Sequence, residues 1–315
     1  MKSCNHSFKS WFLATRPWSF SASAMPVIVT LSYLYYSSKV ATNPLEMNWI
    51  NGALAVVNII LLHAAGNLLS DYHDFKQGID SNDSFGAKTI TSGEFSATEI
   101  RNFGYFFLVL GIGLGSYLAL TTGYHLWWIG GIGAFSALLY YMLKFNRLGD
   151  LCIFIAFGLL PPLGTAFVVT GKLLPITFLL SVPVGSLIVA LLHSNNTRDI
   201  KRDTNAKINT FASTLGLKKS IFYYYFLVAL PFIWVTAFFF LGDFPVLTLL
   251  VFLMAPNAEK CRSIMKSAKD NIENINFLDL KTANLQLCFS LILSISFLLS
   301  AYFTQQKIKK KCIST

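Results

Sequence analysis

The stretch GNLLSDYHDFKQGID, Gly66–Asp80, ends an apolar run with an asparagine, a histidine and three aspartates. A charged side chain at the centre of a membrane helix costs about 2.5–3.5 kcal/mol on insertion scales, and less near the helix ends. Such a cluster is therefore expected either to be exposed to water or to have a functional role. Asn67, Asp71 and Asp74 are spaced i, i+4, i+7, so at about 100° per residue they share one helix face.

The composition indicates a protein that crosses a membrane many times. Of the 315 residues, 54% are hydrophobic and 13% are charged, whereas soluble domains carry about 25% charged residues. We predict an all-α integral membrane protein in which residues 1–315 form one domain, a bundle of about nine transmembrane helices with Asp-rich loops on the cytoplasmic side. The segments long enough to span, roughly 20 residues, are Trp18–Tyr36, Trp49–Leu69, Phe103–Thr122, Trp127–Met142, Leu151–Gly171, Phe178–His193, Ile221–Leu241, Phe244–Pro256 and Leu285–Phe303.

The net charge of +10 follows the membrane topology rather than a nucleic-acid partner. With a cytoplasmic N-terminus, the external loops between spans carry only Lys39 and Lys172, and the internal loops carry the other loop lysines and arginines. This distribution is the positive-inside bias. The basic tail Lys307–Lys311 is the exception, because nine spans place it outside. The polar N-terminus and the first span lack a signal-peptide cleavage pattern, and we expect a multi-pass protein of the cell (inner) membrane.

A second acidic helix end follows four predicted spans later, in LLHSNNTRDIKRDTNAK, Leu191–Lys207. Asn195, Asp199 and Asp203 are spaced i, i+4, i+8, and the parity of the spans places both acidic ends on the same side of the membrane. Mg²⁺ suits such sites because it binds one or two carboxylates, several waters and the phosphate oxygens of a substrate. We predict that the two clusters hold a diphosphate through bridging Mg²⁺. The predicted metal ligands are Asp71, Asp74, Asp199 and Asp203, and the predicted phosphate-binding cations are Lys88, Arg198, Arg202 and Lys207.

These motifs resemble those of the UbiA-type membrane prenyltransferases, which carry two Asp-rich motifs on the second and sixth of nine helices. More narrowly, the chain is similar to the 1,4-dihydroxy-2-naphthoate polyprenyltransferases of menaquinone synthesis. Their pattern NxxxDYxDxxxGxD matches Asn67–Asp80, and NNxRDxxxDxxxGK matches Asn195–Lys207 except at Ala206. Further matches are Thr15-Arg16-Pro17, the YxxxK pair Tyr140 and Lys144, and Leu148-Gly149-Asp150.

The resemblance implies a Mg²⁺-dependent enzyme that transfers a polyprenyl group from an isoprenoid diphosphate to an aromatic acceptor. With 1,4-dihydroxy-2-naphthoate as acceptor, the product after loss of carbon dioxide is a demethylmenaquinone. Lys88 stands where arginine is more usual and keeps the charge without the bidentate fork. The resemblance places Asn67 and Asn195 at the diphosphate and makes Tyr140 and Lys144 catalytic, with Asp80, Arg16 and Asp150 as further candidates.

Other interpretations stay open. An ion-coupled transporter also combines membrane carboxylates with an internal repeat, although carriers place their charges near the midplane. An enzyme of the same type for 4-hydroxybenzoate, homogentisate, a haem or a glyceryl phosphate would keep the motifs. His73 and His193 are candidate bases for the acceptor's proton, with a plain interfacial role as the alternative. Asp150 is also a candidate helix cap.

Overall fold

The computed structural model describes residues 6–76, 89–205 and 208–313. These ranges form twelve α-helices and no β-strand; the only bridge in them pairs Asn146 with Asn209. The helices are α1 (Phe8–Ala14), α2 (Ser21–Val40), α3 (Trp49–Lys76), α4 (Ala97–Thr122), α5 (His125–Phe145), α6 (Gly149–Ile153), α7 (Leu160–Thr170), α8 (Ile176–Arg198), α9 (Ile200–Asn205), α10 (Phe211–Phe240), α11 (Ala255–Ser267) and α12 (Leu278–Ile313). A π-helical turn, Phe154–Leu159, joins α6 to α7, and 3₁₀ turns cover Pro17–Ser19, Val246–Met254 and Ile272–Ile275.

Six helical segments in the described ranges are long and apolar enough to cross a membrane. An all-helical membrane protein is therefore confirmed, whereas a count of nine spans is not. The other three predicted spans correspond to α2, which is rich in serine and tyrosine, to α5, which is rich in glycine and aromatic residues, and to the nine-residue turn Val246–Met254. The six segments are α3, α4, Gly149–Thr170, α8, α10 and Ile272–Lys307.

The two acidic motifs end their helices differently. Helix α3 runs unbroken to Lys76, so the predicted shared face of the first motif is helical throughout. Helix α8 ends at Arg198, and Asp199 is its cap residue before α9 begins. The backbone N–H of Asp199 still donates to Asn195 O at 3.0 Å, and that of Asp203 to Asp199 O at 2.8 Å. The four-residue spacing of the second motif therefore survives the break.

Helix α12 packs against α2, α8, α11 and the turn Val246–Met254. Its fully buried Phe289 and Phe297 belong to the largest apolar core, which α8, α10 and α11 complete. Helices in a membrane pack closely through small residues, and α12 buries Ser290, Ser296 and Ser300 among its neighbours. The amino-terminal half is a thinner layer built on the α3–α4 pair.

The π-helical turn approaches α8 at two glycines. Proline lacks a backbone N–H, so Pro161 and Pro162 at the start of α7 interrupt the hydrogen-bond ladder at this turn. A Cβ added to Gly185 of α8 would lie 3.0 Å from the Cα of Gly158 and 2.8 Å from the Phe154 ring. The crossing therefore depends on the absence of a side chain at both positions.

We expect Gly185→Ala to lower the free energy of unfolding by about 1–3 kcal/mol, the usual cost of overpacking. Gly113→Ala on α4 is the control, because a Cβ there meets no atom within 4 Å, and alanine in a helix interior is favoured over glycine by roughly 0.5–1 kcal/mol. Chemical unfolding in detergent micelles measures both. Equal stability of the two variants would contradict the close crossing.

Candidate functional site

The first acidic motif is held against the segment that precedes α2. The Asn67 side-chain amide donates to Thr15 O at 2.9 Å and to Ser19 Oγ at 3.0 Å. Arg16 forms an ion pair with Asp71, whose side chain is 1% exposed. The backbone of Arg16 is left-handed, with φ 57°, a conformation uncommon outside glycine. These contacts over-determine the segment and so hold that strained residue in place.

The other described residues of the first motif differ in their exposure. Asp74 is half-buried, with Ser70 Oγ 3.4 Å from its carboxylate, and His73 is exposed. The ring of Tyr72 lies under two cations, Lys76 Nζ at 5.5 Å and the Arg101 guanidinium at 5.8 Å from the ring centroid. Positive charge therefore surrounds the end of α3.

His63 belongs to the same face and was missed by the sequence reasoning. Its Nδ1 lies 2.7 Å from Ser23 Oγ and its Nε2 3.3 Å from Ser19 Oγ, the hydroxyl that also accepts from Asn67. His63, Asn67 and Asp71 follow one another at four-residue intervals, so extending the helical spacing backward by one turn would have found it.

In the second motif, Asp199 is enclosed by arginines. Arg198 donates to both carboxylate oxygens of Asp199 at 3.1 Å, and Arg202 donates to one of them at 2.9 Å. Arg198 also lies 3.4 Å from the carbonyl oxygen of Asn276, just before α12. The two arginines predicted to bind phosphate thus lie beside the carboxylate predicted to bind metal.

Asp203 is the most buried carboxylate of the second motif, at 5% exposure. Burial raises the pKa of Asp203, and the nearby Lys144 opposes this as a positive charge. One Asp203 oxygen, Oδ2, and the Asn195 Oδ1 are buried with no hydrogen-bond partner in the described part of the chain. Each such orphaned acceptor costs about 1–3 kcal/mol, which a bound cation would recover.

The Asn and Asp oxygens of the two motifs are of the type that binds Mg²⁺, but those that the structure describes do not surround a metal position. Among the described residues, no group of three or more His, Cys, Asp or Glu side chains is placed to hold a metal ion. Mg²⁺ usually takes one or two carboxylates and completes its shell with waters and substrate phosphate oxygens. The unpaired carboxylate oxygen of Asp203 is a ligand of this kind, so waters and substrate phosphate oxygens would complete the coordination of a metal bound there.

The α5–α6 turn brings the YxxxK pair to the second motif. Arg147 has a left-handed backbone, φ 68°, and reverses the chain, while Gly149 packs against the Lys144 backbone. Lys144 then lies within electrostatic reach of Asp203. Asp150 does not cap α6, because Leu148 holds the cap position. Its carboxylate instead accepts a hydrogen bond from His193 at 2.9 Å, a pairing across two helices that the sequence did not show.

Helix α12 shows that both motifs lie at one end of the bundle. Gln286 of α12 donates to Ser21 O at the start of α2, 3.3 Å away. Ser21 follows Arg16 by five residues, and Arg16 pairs with Asp71. Asn276, which precedes α12, contacts Arg198 at the end of α8. This agrees with the placement predicted from span parity. Asp80, Lys88 and Lys207 lie outside the described residues.

Comparisons with known proteins identify relatives of the chain. The family model described as the UbiA prenyltransferase family matches residues 23–285. The UbiA prenyltransferase domain-containing protein 1 of Mus musculus is 33% identical over 238 residues, 74% of this chain and 69% of the relative. The chain spans about two thirds of the length of such relatives. They do not carry the name of a naphthoate polyprenyltransferase, so the resemblance is confirmed for the family and not for that branch.

Solved structures share the fold. A UbiA homolog from Aeropyrum pernix K1 superposes with a TM-score of 0.67 at 13% identity, covering 89% of this chain and 97% of that chain. A UbiA homolog from Archaeoglobus fulgidus, bound to GPP and Mg²⁺, superposes with a TM-score of 0.62 at 16% identity, covering 94% and 99%. At these identities the likeness concerns the fold alone.

We expect Arg16→Gln to destabilise the protein by about 3 kcal/mol, the low end for breaking a buried ion pair, because a quarter of the Arg16 side chain is exposed. Adding Asp71→Asn should restore part of the loss, since no buried charge is then left without its partner. The measurement is chemical unfolding in detergent micelles.

The control is Arg262→Gln. This arginine pairs with Glu259 on the surface, with side chains 43% and 61% exposed, and such pairs contribute about 0–1 kcal/mol. Equal losses for Arg16→Gln and Arg262→Gln would show that the Arg16–Asp71 pair does not hold the first motif.

Proposed function

Because the chain belongs to the UbiA prenyltransferase family, we propose that it transfers a prenyl group from an isoprenoid diphosphate to an aromatic acceptor. The observation that carries this proposal is the placement of two Asn/Asp motifs, each beside arginine or lysine, at one end of an apolar bundle. Such an end offers oxygen ligands to a metal and cations to a diphosphate, while the bilayer accommodates a lipid-like prenyl tail.

Asp71, Asp74, Asp199 and Asp203 are the proposed Mg²⁺ ligands, with Asn67 and Asn195 on the diphosphate side. The archaeal homolog bound to GPP and Mg²⁺ supports this pairing of donor and metal. Bound Mg²⁺ would neutralise charge that develops on the departing diphosphate.

The cations of the site are proposed to stabilise the negative charge of the departing diphosphate together with Mg²⁺. Arg198 and Arg202 donate to Asp199 in this structure. With substrate bound, their N–H groups would donate to phosphate oxygens, because a planar guanidinium can bind two oxygens at once. Lys144 would supply a compact charge from α5. Fixed donors aimed at a leaving group stabilise the transition state without reorganisation. Lys88 and Lys207 are proposed for the same task on sequence grounds.

The proposed acceptor is a hydroxylated aromatic ring. 1,4-Dihydroxy-2-naphthoate, with decarboxylation to the hydroquinone form of demethylmenaquinone, is the first candidate because of the motif pattern, and would place the protein in menaquinone biosynthesis. 4-Hydroxybenzoate and homogentisate are the alternatives within the same chemistry. The excess of lysine and arginine in the predicted internal loops supports a cytoplasmic site in a cell (inner) membrane. Tyr140, beside Asp150, would border the acceptor.

A transporter is less well supported. Asp71, Asp199 and Asp203 lie at helix ends and pair with or lie beside cations, whereas coupling ions in carriers bind near the bilayer midplane between broken helices.

Removal of divalent metal separates these functions. We expect purified protein with a labelled prenyl diphosphate and a panel of acceptors to form product only with Mg²⁺, and chelation to abolish it. Refilling with Mg²⁺ should restore the rate, and the acceptor with the highest kcat/KM identifies the physiological class. Ion flux in liposomes without any prenylated product would instead support a carrier.

We expect Asp71→Asn and Asp199→Asn each to reduce turnover to near background, since each removes a proposed metal ligand while preserving shape. Asp243→Asn is the matched control, an exposed aspartate beyond the far end of α10, and should leave turnover within about twofold, as surface substitutions usually do. Steady-state rates and membrane insertion are measured together. Near-normal rates in both motif variants would rule out the metal role of these aspartates.

A further inference from the structure

A buried histidine–carboxylate pair lies beside the second motif. His193 of α8 is fully buried, Asp150 of α6 is 5% exposed, and His193 Nδ1 lies 2.9 Å from Asp150 Oδ2. A carboxylate can only accept, so Nδ1 carries the proton in the neutral ring and Nε2 holds a lone pair. Asp150 therefore fixes His193 in the tautomer whose second nitrogen is basic.

That second nitrogen, Nε2, is the unusual feature of the pair. His193 Nε2 is buried and makes no hydrogen bond to any described residue. Buried polar atoms are almost always paired, and an exception calls for an explanation such as a catalytic role or an absent ligand. His63, one turn before Asn67 on α3, differs in that both of its nitrogens lie within hydrogen-bond distance of serine hydroxyls.

Aromatic side chains surround the imidazole. The rings of Tyr223 and Phe211 lie edge-on to the imidazole at 4.8 and 6.2 Å between centroids. Tyr140 lies within electrostatic reach of Asp150. Aromatic rings prefer such edge-to-face and offset arrangements. His193 lies on α8 one helical turn before Thr197 of the second motif, whose hydroxyl donates to the His193 carbonyl oxygen at 2.7 Å.

We propose that His193 is the base that receives the hydroxyl proton of the aromatic acceptor and that Asp150 is its positioning residue. This rests on the proposed prenyl transfer. The acceptor O–H proton passes to Nε2, and the oxygen's electron pair moves into the ring. A ring carbon bonds to the allylic carbon, whose C–O bond breaks with both electrons leaving on the diphosphate. The ring carbon then loses a proton or carbon dioxide, and the imidazolium returns its proton to the oxygen.

The test compares two acceptors in the wild type and in His193→Gln. One acceptor is an electron-rich phenol or naphthol that is un-ionised at the assay pH, and the other is an electron-poor analogue whose hydroxyl is already ionised. A general base contributes about 10²–10⁴-fold, so kcat should fall at least about 100-fold with the un-ionised acceptor and by less than about threefold with the ionised one. A merely structural role would lower both rates alike.

If His193→Gln does not fold, the same comparison of the two acceptors is made with Asp150→Asn. The amide can donate to Nδ1 and so place the proton on Nε2, which again penalises only the un-ionised acceptor. His125→Gln at the start of α5 is the control for loss of an imidazole and should leave both rates unchanged. Equal losses with both acceptors, or full activity of His193→Gln with the un-ionised one, would overturn the proposal. Absence of transfer by the wild type with either acceptor would instead reject the proposed function.

Discussion

Buried carboxylates at one end of an apolar bundle must be matched by positive charge or a hydrogen-bond donor, and this requirement organises the protein. Asp71 is matched by Arg16, Asp199 by two arginines, and Asp150 by His193. Each of these pairs also fixes the position of the backbone segments that carry the two partners. Because breaking a buried pair is far more costly than replacing it outright, these contacts specify position more than they add net stability.

The same charges connect fold to function. Arg16 ties the segment before α2 to the end of α3, and Lys144 brings the end of α5 to Asp203. Helix α12 then joins the two acidic ends through Gln286 and the preceding Asn276. Without substrate, the cations and carboxylates of the site neutralise one another. When a diphosphate and its metal bind, the carboxylates can bind the metal and the cations can bind the diphosphate. The proposed site is therefore assembled by the packing that closes the bundle.

Local features of this arrangement were predictable from sequence. The apolar runs gave the helices, and the i, i+4, i+7 spacing gave the shared face of Asn67, Asp71 and Asp74, because both depend only on helix geometry. The end of α8 at Arg198 was not predictable from the spacing. The backbone hydrogen bonds between residues four apart continue through the cap residue Asp199, so the spacing is the same as in an unbroken helix. The Asp150–His193 pair joins residues 43 apart and exists only through tertiary packing. The count of nine spans is not confirmed, because six helical segments of the described residues are long and apolar enough to cross a membrane.

The central claim is that the two acidic motifs bind one diphosphate together. Calorimetric titration of a non-reacting prenyl thiodiphosphate with Mg²⁺ into the wild type, Asp71→Asn, Asp199→Asn and the double variant tests it directly. We predict one ligand per chain, a large loss of affinity in each single variant, and a loss in the double variant well below the sum of the two, because residues that act on one ligand are coupled. Wild-type affinity in either single variant, or strictly additive losses, would contradict a shared site.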